Sequence, residues 1–96
     1  MAILVTRPQP ENEATAASQV EAVLHYSARS ARAFLDAVRS AGVEISALAV
    51  PQCCISATVA AILREAGAAR VTVASSPDEN ALLNALLGTL DRALRS

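Results

Sequence analysis

Ninety-six residues fit one small domain, near the lower edge of the usual range of about 100–150. Eight basic residues, all of them arginine, face nine acidic ones for a net charge of −1, so no face can carry the dense positive charge that a phosphate backbone requires. Phe34 and Tyr26 are the only aromatics, which leaves nucleic-acid bases no stacking platform, and the absence of lysine excludes a Schiff-base or P-loop lysine.

The first expected element is a strand over Ala2–Thr6, a short continuous apolar run of the kind covered on both faces. That run is too short for a signal peptide and lacks a basic leader, and no stretch reaches the roughly 20 apolar residues of a membrane span. The expected compartment is the cytoplasm. Pro10-Glu11-Asn12-Glu13 starts a helix with early negative charge. It can run only to about Ser18, because Glu21–Tyr26 forms the next strand. Ser27 then caps a helix over Ala28–Ala41, with Ala31, Phe34, Leu35 and Val38 on one stripe and Gly42 as its stop.

Val43–Val50 reads as a loop with at most one helical turn, and Pro51 opens a third strand over Gln52–Ile55. The adjacent Cys53 and Cys54 point to opposite faces of that strand, which makes them two buried, reduced thiols rather than a disulfide or a metal site. Ser56 caps a helix whose apolar positions Val59, Ile62 and Leu63 lead to Gly67, and Val71–Ala74 is the fourth strand. Ser76-Pro77-Asp78-Glu79 spells a capping box, with Ser at the cap and Glu three residues on. Leu82, Leu83, Leu86, Leu87, Leu90 and Leu94 follow as a broad apolar stripe. Four βα units in succession imply a three-layer α/β/α sandwich on a parallel four-stranded sheet. The expected strand order is flavodoxin-like, 2-1-3-4, without the usual fifth strand.

Ligands of open α/β sheets bind at the carboxyl ends of the strands. Those ends carry Thr6-Arg7, Tyr26-Ser27, Ser56 and Ser75-Ser76. The last three open helix N-termini, whose free N–H groups suit an anion, and Arg7 and Arg29 add charge to the same rim. The competing reading is that serine is simply among the commonest helix caps. No phosphate-cradling glycine loop and no HExxH is present. His25, the one histidine, reads as a packed residue near a strand end, with Ser27 as its paper partner in a Ser/His pair.

Several of these segments together resemble one family. Ile3-Leu4-Val5-Thr6-Arg7-Pro8 with Gln9-Pro10-Glu11-Asn12 looks like the first strand and turn of uroporphyrinogen-III synthase. Val23-Leu24-His25-Tyr26-Ser27-Ala28-Arg29-Ser30-Ala31 resembles a later strand of that family, which ends in an aromatic followed by Ser. Ile55-Ser56-Ala57-Thr58-Val59-Ala60 with Leu63-Arg64-Glu65-Ala66-Gly67 is similar to its IGxxTA…LxxxG unit. Val71-Thr72-Val73-Ala74, Ser76-Pro77 and the leucine-rich helix match its closing unit.

The resemblance implies cyclisation of the linear tetrapyrrole hydroxymethylbilane with inversion of the last ring, without metal or cofactor, in a cleft between two domains. It also implies that this chain joins the first βα piece of the outer domain to its last three units. The inserted second domain would be missing, with a deletion junction near 16–20, made by nature or by engineering. Arg7, Ser27 and Thr58 occupy matching positions that would face the carboxylate-bearing tetrapyrrole. Ser56 and Val59 depart from the family's Gly and second Thr, and Tyr26 does not correspond to the tyrosine implicated in the family's chemistry. The leading expectation is therefore a catalytically silent single domain of synthase descent. Its rivals are a small flavodoxin-like module that binds an anion through Ser56, Ser76 and the other capped N-termini, and a residual synthase rescued by dimerisation. A monomer without nucleic-acid or membrane partners is expected, with exchange of the first strand between two chains as the specific alternative.

Overall fold

In the computed structural model, which describes residues 3–5 and 22–95, four short apolar runs form an all-parallel sheet. The strands are β1 (Ile3–Val5), β2 (Ala22–His25), β3 (Gln52–Cys54) and β4 (Val71–Val73). The helices are α1 (Ala28–Ala41), α2 (Glu44–Ala49), α3 (Ala57–Glu65) and α4 (Glu79–Arg95). The helix expected near residues 10–18, the junction near 16–20 and Arg7 lie outside the described residues.

The strands lie in the order β1-β2-β3-β4, not 2-1-3-4. Burial gives the reason. Every residue of β2 and β3 is buried, as central strands require, whereas Val5 in β1 is 44% exposed and all of β4 is half-buried. β1 is thus an edge, paired with β2 through Ile3 to Ala22, Leu4 to Val23 and Val5 to Leu24. A flavodoxin-like sheet 2-1-3-4-5 without its second strand has this order. The strand unaccounted for is the second, not the fifth.

Alternation along the strands divides the core in two. Val23 and Cys54 face α1, α2 and α3, where Phe34, Leu35, Val38, Leu48, Val59 and Leu63 pack. Ala22, Leu24 and Cys53 face α4 through Ala81, Leu82 and Leu86. The two cysteines form no disulfide and are buried on opposite faces, and burial pushes the Cys54 thiol up to about 12. α4 contributes less to its core than its sequence stripe suggested. Leu82 and Leu86 are buried and Leu90 half-buried, but Leu83 and Leu87 are exposed, and the side chain of Leu94 lies outside the described residues.

Local signals set most helix ends. The Ser27 hydroxyl accepts the Ser30 N–H at 3.0 Å, and Gly42 adopts φ 74°, a left-handed stop that glycine reaches without strain. Residues 43–50, expected as a loop with at most one helical turn, hold the six-residue helix α2. No side chain caps it, but Glu44 sits in its first turn and pairs with Arg39, and Ala47 and Leu48 are buried against the core. Tertiary burial decides here where local propensity did not.

Two buried polar side chains bind the sheet to α2. The Gln52 amide donates to the carbonyls of Ala47 at 2.9 Å and Val50 at 3.0 Å. With both its protons committed, its oxygen faces His25 Nε2 at 2.7 Å, so that nitrogen carries the imidazole proton. The ring also stands edge-on to Phe34, with centroids 5.2 Å apart. Burial lowers the His25 pKa from 6.5 to about 4, against the opposing effect of the Gln52 hydrogen bond. His25 is a packed residue, not half of a Ser/His pair.

That depression has a sign in pH. The folded state holds His25 neutral down to about pH 4, whereas the unfolded chain protonates it near 6.5. The stabilisation is complete above pH 6.5 and is lost as pH falls towards 4, by about 3 kcal/mol in all. Denaturant melts at pH 7 and pH 4.5 are expected to show a larger loss in the wild type than in His25→Gln. Equal losses would mean that the imidazole is not buried neutral.

Candidate functional site

The carboxyl ends of β2, β3 and β4 run directly into Tyr26-Ser27, Ile55-Ser56 and Ala74-Ser75-Ser76. Because β2 and β3 are neighbours and both feed helices on the same face, the starts of α1 and α3 share one side of this rim. Ser27 is extended at φ −157°, and besides accepting the Ser30 N–H it donates its own proton to Ser30 Oγ at 2.9 Å. Ser56 is extended at φ −149° and accepts the Val59 N–H at a long 3.4 Å. Thr58 stands exposed on the first turn of α3. Neither α1 nor α3 has an acidic residue in its first turn, so the positive ends of both helices stay uncompensated. The exposed Arg29 adds charge beside them.

The start of α4 differs. Ser76 is not its cap. The Ala81 N–H goes to Asp78 Oδ1 at 2.8 Å, which places the cap at Asp78, and the Ser76 hydroxyl donates to Asp78 Oδ2. Those two hydrogen bonds hold the Asp78 carboxyl below its ordinary range, the one from Ser76 contributing most. Glu79 follows in the first turn. Its charge, after burial, raises the pKa of Tyr26 at the end of β2. An internal carboxylate therefore fills the N-terminus of α4, while those of α1 and α3 face outward.

The structure thus brings Ser27, Ser56 and Thr58 onto one side of the rim and leaves Ser76 with Asp78. Sequence reading missed Asp78 and Gln52. Asp78 was legible in kind, since Ser and Asp cap about equally well and both stand in Ser76-Pro77-Asp78-Glu79. A groove of about 250 Å³ lies elsewhere, lined by Glu44, Ile45, Leu48, Ala49, Ala66, Gly67 and Ala69. These residues precede β3 and β4, at the amino ends of the strands, so the groove does not belong to the rim.

Substitution separates the two candidate caps. Asp78→Ala is expected to lower the thermal midpoint by about 4 °C or more, as loss of a cap does in a domain of this size. Ser76→Ala is expected to move it by less than half as much. Equal shifts would restore Ser76 as the cap.

No helix among the described residues is long and apolar enough to cross a membrane. The family model of uroporphyrinogen-III synthase HemD matches residues 4–84, from β1 into α4. No curated protein and no solved structure matches the chain significantly. The match begins within β1 and takes in the other three strands and the rim, and on that ground the chain belongs to the uroporphyrinogen-III synthase family.

Proposed function

We propose that this chain is one wall of a uroporphyrinogen-III synthase cleft: an outer domain that retains a carboxylate-binding rim and does not close the tetrapyrrole ring by itself. One observation carries the reading. Only residues 6–21 stand between β1 and β2 in a chain whose family match covers residues 4–84. A typical domain takes about 100 residues or more, so that connection leaves no room for an inserted second domain.

The rim supports the substrate class. Hydroxymethylbilane carries many carboxylates, and the uncompensated N-termini of α1 and α3 offer N–H groups and positive dipole ends to them. Ser27, Ser56 and Thr58 add hydroxyls, and Arg7, by its place in the family motif, adds a guanidinium able to grip a carboxylate in bidentate fashion. Ser76 lies on the same rim but is committed to Asp78, which makes it the weakest member of the set.

Catalysis asks for more than this. The reacting groups must converge on a substrate withdrawn from water, and a single wall leaves the bilane open to solvent. The chain is read as a cytoplasmic, catalytically silent binder.

With hydroxymethylbilane as substrate, product analysis is expected to show only the uninverted isomer of spontaneous closure. Formation of the III isomer in proportion to protein concentration would refute the proposal. In a fluorescence titration with an octacarboxylic porphyrin, Arg7→Ala is expected to weaken binding at least about threefold, and added salt to weaken it further.

A further inference from the structure

Four polar side chains are buried among the described residues: His25, Ser30, Gln52 and Thr89. His25 and Gln52 hydrogen-bond to each other, and Thr89 donates to the Ala85 carbonyl of its own helix at 2.9 Å. Ser30, 3% exposed, instead holds a residue of the rim. Its N–H donates to Ser27 Oγ at 3.0 Å, and its own Oγ accepts the Ser27 O–H at 2.9 Å.

The fold does not call for a hydroxyl at this place. The residue three beyond the cap is Val59 in α3 and Ala81 in α4, and alanine is a better helix former than serine. Nor does the cap need it, because Ser27 caps α1 through the backbone N–H of residue 30. What the Ser30 hydroxyl changes is the chemistry that Ser27 shows to a ligand. A serine hydroxyl has one proton and two lone pairs. In Ser27 the proton goes to Ser30 Oγ and one lone pair to the Ser30 N–H, so the position left is a lone pair. In α3 the place of Ser30 is held by Val59, whose side chain has no oxygen to accept the Ser56 proton.

We infer that Ser30 is a specificity-determining residue of the rim, acting through Ser27: it withholds the Ser27 proton, so that Ser27 receives a ligand N–H and carboxylates fall to Ser56 and Thr58. The inference rests on the reading of the rim as a tetrapyrrole wall. An ionised carboxylate only accepts hydrogen bonds and finds no donor in Ser27, whereas each pyrrole ring of a bilane carries an N–H. Ser27 and Ser56 follow neighbouring strands. The rim thus sets an acceptor beside a donor, as a pyrrole with acidic side chains requires.

Two probes test it. An octacarboxylic porphyrin, whose N–H groups turn into the ring, reads carboxylate binding alone by fluorescence. Ser30→Ala frees the Ser27 proton and is expected to tighten porphyrin binding at least about threefold, with a thermal midpoint no lower than that of the wild type. The second probe is a pyrrole bearing two carboxylates, titrated by NMR beside its N-methyl form. The wild type is expected to bind the N–H form at least about threefold more tightly. Ser27→Gly, which keeps most of the capping stability, is expected to lose that preference. Porphyrin binding that Ser30→Ala leaves unchanged or weakens would overturn this inference alone, as would equal affinity of the wild type for the two pyrroles. Porphyrin binding by none of these proteins would overturn the rim reading as well.

Discussion

Gln52 occupies a tightly constrained position, because a fully buried primary amide must find partners for two protons and an oxygen or forfeit their solvation. Its two protons close the turn from α2 into β3 on the carbonyls of Ala47 and Val50, and its oxygen accepts the Nε2–H of His25 on β2. One side chain thus links the end of α2 to two central strands. A slip of one residue between β2 and β3 would carry His25 to the α4 side of the sheet and leave both groups unpaired. The observed register, Val23 to Gln52 and His25 to Cys54, is the one that satisfies them. The same arrangement removes His25 from chemistry, since a neutral imidazole sealed against Phe34 has no access to a ligand.

With β2 and β3 held in register, the geometry of the rim follows. Ser27 and Ser56 each come two residues after the end of adjacent parallel strands, so α1 and α3 begin side by side on one face. Their first turns lack carboxylates and leave both dipole ends unopposed. α4 begins on the far face with Asp78 as its own anion and Glu79 next to it. The rim is therefore polarised, receptive to anions over α1 and α3 and closed to them over α4.

Features fixed by neighbours in sequence were legible, and features fixed by distant partners were not. The Ser27 cap and the Gly42 stop need only a few consecutive residues and were found where the sequence placed them. The cap of α4 is just as local, but Ser76 and Asp78 are about equally good acceptors, and only the hydrogen-bond geometry separates them. α2 has no cap to announce it and exists because Ala47 and Leu48 are buried. Strand order depends on which edges pair across the sheet. The alternation of strand and helix gives parallel pairing but not which strand lies outermost, and the exposure of Val5 that marks β1 as an edge is a property of the finished fold. The family was readable because it rests on four motifs in order, which tolerate the loss of Gly and Thr at Ser56 and Val59.

The starts of α1 and α3 lie on one face of the sheet and α4 covers the other. A contact through the α4 face would therefore keep the Ser27, Ser56 and Thr58 sides of two copies apart, with both sheets between them. Recovering synthase activity by dimerisation would need a contact between rims, where the uncompensated ends of α1 and α3 would face their like and repel.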